Sequence, residues 1–364
     1  MLPDASVLAH ITDAHCHAGE HEIPPPEDMD ALPIRICAMS SRLGDQERTR
    51  ALAEGWRDKV TPAFGYHPWW SHHIALKPVD SSEEHYRALF LPTPQARDKH
   101  AEAFLRLLPS LPEPMVLSNV LDEVRANLNA FPNAMLGEVG LDQVVRIPYS
   151  YDADKGEKRE LSPFTIPLAH QRAILEAQID LAVELKRNVS LHSVKAPQPT
   201  RELLDAMAAK HRSHWRSISI DMHACGISPE VWKEIEKHHP NTFLSLARCI
   251  NGRSQNHIAL IKAADPRRLL VESDYPVASE LAQETWAMVE TIARERGWRI
   301  EQTWDYSESE DNDEVQEEWG VVRRLEANWR RFEKGDHPAR RIMNRKRRTD
   351  HSYEEFPDSD TSDF

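Results

Sequence analysis

Short apolar runs rich in β-branched residues recur along the chain, and each ends at a polar or charged position. They are Ile11–Ala14, Ile34–Met39, Val60–Tyr66, Ala134–Val139, Asn188–Leu191, Ile218–Met222, Thr242–Ala247 and Leu269–Ser273. Runs such as Phe243-Leu244-Ser245-Leu246 are apolar enough to be buried on both faces, as parallel strands are. Between them the apolar spacing changes to three and four. Leu168–Lys186 carries Leu168, Ile174, Leu175, Ile179, Leu181, Ala182 and Leu185, and its strong helix formers continue to Asn188. Thr200-Arg-Glu-Leu and Ser228-Pro-Glu-Val read as helix starts, the second with Pro at the first helical position. Strand and helix thus alternate around an α/β fold, and the expected architecture is a (β/α)8 TIM barrel rather than an open sheet. No G-x-G-x-x-G or Walker A run is present, which argues against a nucleotide cofactor.

Three stretches exceed a minimal barrel. His72–Met115 is punctuated by Pro and too long for a strand-to-helix connection, so an inserted helical excursion is expected there. Val144–Pro163, with Asp152, Asp154, Lys155, Glu157, Lys158 and Arg159, reads as a solvated loop. Residues 299–318, strongly acidic from Glu301 to Glu318, read as an exposed or disordered insertion before a helix Trp319–Glu333. The barrel domain is expected to span residues 1–335. A flexible charged tail, 336–364, would follow, basic at Arg340–Arg348 and acidic at Asp350–Asp363.

Composition narrows the classes. The chain has 364 residues, 45 basic and 59 acidic, for a net charge of −14. That balance speaks against a broad non-specific duplex-DNA binder, which would neutralise many phosphates with Lys and Arg. Twelve Gly and 25 Pro exclude collagen-like and Gly/Ser-linker architectures. Four Cys, none in a C-x-x-C pair, exclude a disulfide scaffold and a Cys-type zinc finger. Cys16, Cys37, Cys225 and Cys249 are expected to be buried reduced thiols, which fits a cytoplasmic location. No run of 18 apolar residues occurs, so no membrane span is expected. The Arg345–Arg348 run reads either as a nuclear address or as a solvated tail.

The chemistry lies at the strand ends. His15-Cys16-His17 follows the first strand, a spacing that puts two imidazoles on one side of an extended chain. Strand three leads into Gly65-Tyr66-His67-Pro68-Trp69-Trp70. Strand four ends in Gly137-Glu138-Val139-Gly140-Leu141-Asp142, strand five in Leu191-His192-Ser193, strand six in Asp221-Met222-His223, and strand eight in Glu272-Ser273-Asp274-Tyr275-Pro276. The C-terminal rim of a barrel is where such enzymes build their sites. Each residue alone is unremarkable; the set at equivalent positions points to a metal centre.

In this order the motifs resemble the TatD family of metal-dependent deoxyribonucleases, from Ile11 to about Pro276 and again at Leu325–Phe332. The resemblance implies that His15, His17 and Asp274 hold one divalent ion and His192 and His223 a second, with Glu138 bridging. It further implies two ions (Mg²⁺, Mn²⁺ or Zn²⁺), Asp274 as proton acceptor, and His67 in contact with the substrate phosphate. The substrate would be nucleic acid, most plainly a single-stranded or frayed DNA end trimmed exonucleolytically. The chain departs from the family where Lys195 stands in place of an Arg, where Trp69 replaces a second His, and where Cys225 replaces an aromatic residue. Lys195 is expected to act as a point charge on phosphate and Trp69 as a platform for a base, or else as packing for the insertion. Asp13 and Asp142 read either as acceptors for imidazole N–H groups or as buried acids with backbone partners, and Arg248 reads as a phosphate contact or a surface ion pair. Two rival readings stay open: hydrolysis of another ester such as misacylated tRNA, and a non-catalytic barrel that docks proteins through its acidic insertion or tail.

Overall fold

The computed structural model describes residues 2–151, 159–304 and 317–338. Eight parallel strands form: β1 Thr12–Cys16, β2 Arg35–Met39, β3 Val60–Phe64, β4 Met135–Asp142, β5 Val189–Val194, β6 Ile220–Met222, β7 Thr242–Ala247 and β8 Leu269–Glu272. Their spatial order is their chain order. Backbone bonds from Asp274 to His15 O (2.9 Å) and from His17 to Tyr275 O (2.9 Å) bring the last strand back to the first. The expected TIM barrel is therefore the observed fold, with helices on its outer face. No described helix is long and apolar enough to cross a membrane.

β4 and β5 run past the ends read from the sequence, β4 to Asp142 and β5 through His192 to Val194. Polar residues did not stop them because those side chains face the barrel axis. Gly140 makes this pairing close. A Cβ there would sit 2.1 Å from His192 O, so any larger residue would push β4 off β5 and pull Glu138 away from His192.

The floor of the barrel is apolar. Cys37, Met39, Ala63, Met135, Phe243 and Leu270 pack together with Trp329 and Phe332, which come from the final helix Val321–Lys334. Asn328 ties that helix down through its amide to the carbonyls of Pro266 and Leu269, both at 2.8 Å. The helix starts at Val321 rather than at Trp319.

The insertion after β3 is helical as expected, with helices Ser82–Phe90 and Pro94–Leu107. The Val144–Pro163 reading needs correction. Its ends form an antiparallel ribbon, Arg146–Pro148 against Leu161–Thr165, and only residues 152–158 lie outside the described set. Ile147 and Phe164 alternate inward and pack on Tyr86, Phe90 and Phe104 of the inserted helices, which the charge-rich centre of the segment obscured. The helix Leu168–Leu185 ends where expected, at a left-handed Lys186. The next begins at Pro197, not Thr200, whose hydroxyl instead bonds Ser193 Oγ at 2.8 Å.

Two further corrections concern the C-terminal region. Glu301 belongs to the fold: it is 1% exposed and accepts from the N–H groups of Val322 (3.0 Å) and Arg323 (3.4 Å), capping the final helix. The rest of the acidic segment, 305–316, and the charged tail from 339 onward lie outside the described residues, so the reading of them as protein-docking elements does too. Residues 336–338 do not start a free tail. His337 is buried and its Nε2 donates to Ser219 Oγ at 2.7 Å, while that hydroxyl donates to Phe332 O at 2.6 Å.

Glu301→Ala should lower stability by about 1–2 kcal/mol, because two buried N–H groups lose their acceptor. Glu301→Gln should lose less. Urea midpoints check both, and equal losses in the two variants would contradict the capping role. Burial, with Arg268 and Arg331 nearby, pushes His337 down to about 4. The unfolded chain, with a His pKa near 6.5, takes up this proton first, so this contribution is present above about pH 6.5 and fades as pH falls toward 4. The slope of stability against pH over that window should therefore be shallower in His337→Gln than in the wild type.

Candidate metal centre

Strand alternation stacks the inward side chains in layers along the barrel axis. Above the apolar floor, β5 turns Ser190 and then His192 inward, and β6 turns Asp221 and then, just past its end, His223. β7 follows Phe243 with Ser245, and β8 follows Leu270 with Glu272 and then, past its end, Asp274. Apolar positions thus give way to hydroxyls and acids, and these to imidazoles, over two or three pleats. The polar top opens into a cavity of about 290 Å³ on the C-terminal face, lined by His17, His67, Glu138, His192, His223 and Asp274 among others.

Glu138 stands at the centre, buried, and its two oxygens face different groups. Oε2 lies 3.3 Å from His17 Nε2 and 3.6 Å from His15 Nε2. The two imidazole nitrogens are 3.2 Å apart, and Asp274 Oδ1 is 3.4 Å from His17 Nε2 and 3.8 Å from His15 Nε2. Donors placed tetrahedrally at about 2.0–2.2 Å from one ion are about 3.3–3.6 Å from each other, which is this spacing. Oε1 lies 2.8 Å from both His192 Nδ1 and His223 Nε2, themselves 3.4 Å apart, and 3.2 Å from His67 Nε2. The rings of His15 and His223 stack at 3.7 Å and join the two groups.

The far nitrogens of these rings decide which near ones keep a lone pair. His15 Nδ1 is 2.7 Å from Ser190 Oγ, His223 Nδ1 is 3.6 Å from Glu272 Oε1, and His192 Nε2 is 3.5 Å from Asp142 Oδ2. Each far N–H has an oxygen to face, so each near nitrogen can be a ligand. His67 is wired the other way. Its Nδ1 accepts the Trp69 N–H at 3.1 Å, so in the neutral ring Nε2 carries the hydrogen and points it at Glu138. Burial also pushes His67 down to about 4, keeping it neutral near pH 7. In that tautomer Nε2 donates toward Glu138 rather than offering a lone pair.

The carboxylates are held ionised although burial opposes it. His67, His223 and His15 keep Glu138 well below the usual range, and His17, His223 and His15 do the same for Asp274. Asp274 adopts a left-handed backbone (φ 50°), a conformation that a non-Gly residue keeps only when its surroundings enforce it. Beneath, Ser245 Oγ contacts Asp221 Oδ2 (2.8 Å) and Glu272 Oε2 (2.5 Å). One hydroxyl hydrogen cannot serve both, and burial with the charge of Glu272 pushes Asp221 well up.

The remaining sequence candidates are placed as follows. Asp13 is fully buried and accepts from the N–H groups of Ser273 (2.9 Å) and His15 (3.2 Å), so it fixes the backbone at the β8–β1 seam rather than an imidazole. Trp69 is 49% exposed at the mouth, its Nε1 held by Asp142 Oδ2 at 2.8 Å. Trp70 packs on His73 and Tyr151 of the insertions. Arg248 is committed to Glu284. Lys195 lies outside the central cavity, on a neighbouring groove. Of the four free thiols, Cys249 is only half-buried. Sequence reading did not single out Ser190, Ser245, Asp221 or Glu272 as parts of the site. A period of two was the available signal, since Ser190, Asp221 and Glu272 each precede a rim residue by two.

Imidazole and carboxylate donors at these separations, with buried negative charge between them, fit divalent cations, and His15/His17/Glu138 and His67/Glu138/His192 are among the groupings close enough to hold one. The sequence matches the family described as TatD related DNase over residues 12–311. It is 30% identical to Cut9-interacting protein scn1 of Schizosaccharomyces pombe, covering 81% of this chain and 96% of that one. It is 24% identical to human Deoxyribonuclease TATDN3, covering 80% and 89%. Among solved structures, the Escherichia coli TatD homolog YJJV shares the fold (TM-score 0.53, 15% identity, 91% of this chain and 100% of that). A TatD-family hydrolase of Entamoeba histolytica also shares it (TM-score 0.50, 12% identity, 88% and 97%). With its barrel and its rim of inward His, Asp and Glu, this chain belongs to the TatD-related DNase family of metal-dependent hydrolases.

Proposed function

We propose that the protein trims nucleotides from the end of a DNA strand by hydrolysing phosphodiester bonds, with two divalent cations held around Glu138. The observation that supports this reading is the split of one carboxylate: Oε2 toward His15 and His17, Oε1 toward His192 and His223. A carboxylate so placed can join ions about 3.5–4 Å apart, the separation suited to in-line displacement at a phosphodiester. His15, His17, Asp274 and Oε2 would hold one, and His192, His223 and Oε1 the other. When bound, such ions supply Lewis acidity toward phosphate oxygens and make a water acidic enough to attack.

The chain's own groups do the rest. Asp274, ionised and at the open side of the site, takes the proton of the attacking water. The Nε2–H of His67 donates to a non-bridging phosphate oxygen as negative charge grows there. Ser190, Asp142 and Glu272 keep the ligand rings in the tautomer that offers a lone pair. Trp69, half in solvent, gives a base a flat apolar face at the mouth. The narrow cavity suits an unpaired strand end. Four imidazoles favour Mn²⁺ or Zn²⁺ over Mg²⁺ by ligand softness.

Glu138→Gln should reduce kcat/KM on single-stranded DNA by about a thousandfold or more, and metal analysis should find about two ions per chain in the wild type and fewer in the variant. Turnover retained after exhaustive chelation, or a single ion in an active wild type, would refute the arrangement. His67→Ala should lower kcat by about a hundredfold with unchanged metal content, because His67 donates a hydrogen rather than a lone pair. Loss of an ion in that variant would place His67 among the ligands.

A further inference from the structure

A second cavity of about 610 Å³ adjoins the metal centre along the outside of the rim. The two share Ser193, Val194, Ala224 and Ile250, which form the ridge between them. The groove lies where three helices begin, at Pro197, Pro229 and Asn256. None of its lining residues is acidic, in a chain whose net charge is −14. Lys195 lines it, and Arg253 stands on the same loop as Asn251 and Ser254; both are exposed, and neither makes an ion pair among the described residues. Ile250, 40% exposed, Ile227 and Val231 give it an apolar wall. The opposite side of the mouth has the reverse character. The segment after β1 carries Glu20, Glu22, Glu27 and Asp28, and no Lys or Arg occurs between Ala18 and Ile34.

We infer that this groove is the track for the substrate strand beyond the scissile phosphate, binding the backbone of a single-stranded nucleic acid by charge and its bases by aliphatic contact. The inference rests on the phosphodiesterase reading and adds a direction to it: the polyanion leaves the centre over Val194–Lys195 toward Asn251–Asn256 and away from the acidic β1 segment. With no Trp, Tyr or Phe among its lining residues, the track reads charge and length rather than sequence.

Steady-state kinetics separate the two readings. Bis(p-nitrophenyl) phosphate reports on the centre alone, while oligodeoxynucleotides of two, four and eight residues also report on the groove. In the wild type, kcat/KM should rise about tenfold between the dinucleotide and the tetranucleotide at low salt, and the gain should shrink as salt is added. Ser254, exposed and one residue before the N-cap Gln255, accepts the Asn256 N–H at 3.2 Å. Asp and Asn side chains can accept the same N–H, so Ser254→Asp and Ser254→Asn keep the fold and differ in one charge. KM for the octanucleotide should be about tenfold higher in Ser254→Asp than in Ser254→Asn, with kcat the same in both. If the small diester is hydrolysed but chain length has no effect, or the two variants share one KM, the groove is not the track. If neither the small diester nor any oligonucleotide is hydrolysed, the phosphodiesterase reading fails and the inference falls with it.

Discussion

The structure depends on keeping one ionised carboxylate out of water. Glu138 is buried among His15, His17, His67, His192 and His223, whose ring nitrogens face its two oxygens and offset the cost of taking its charge out of water. Five segments of chain, distant in sequence, must therefore meet at one point. A barrel achieves this because its closed hydrogen-bonded wall fixes the relative height of every strand, and the rim residues inherit that register. Gly140 allows β4 and β5 to approach, and the two backbone bonds that join Asp274 and His17 across the seam set the last strand against the first.

The layers below the centre explain how it is held. Inward positions change from Phe243, Leu270 and Met135, through Ser245, Glu272 and Asp221, to His223 and Asp274. The middle layer is a graded boundary: Glu272 faces the His223 ring above at 3.6 Å, and hydrocarbon lies below. Burial and the charge of Glu272 push Asp221 up in that layer.

Much of this was legible in the sequence. The eight strands were visible because buried parallel strands are short apolar runs, and the rim residues because each follows such a run directly. What the sequence hid had a common cause, which is that polarity was read as exposure. Glu301 and His337 looked like solvated or tail residues, yet one caps a helix and the other bonds Ser219. Residues 144–163 looked like a loop since the charges at 152–159 outweighed the alternation of Ile147 and Phe164. For Asp13 the sequence left an imidazole and the backbone as equal partners, and the fold decides for two backbone N–H groups. Lys195 differs again: adjacency to a ligand strand placed it at the rim, but a side chain there can face either of two cavities.

The plug formed by Trp329 and Phe332 also bears on how the molecule comes into being. A ribosome delivers β1 to β8 in the order in which they lie around the cylinder, so the wall can zip up progressively from its first strands. The lower opening stays unsealed, with Phe243 and Leu270 facing water, until the chain has been made past Asn328 and His337. Maturation of the interior thus waits for the final helix, and a nascent chain arrested before that point would present a sticky, open-bottomed vessel to the chaperones of its host.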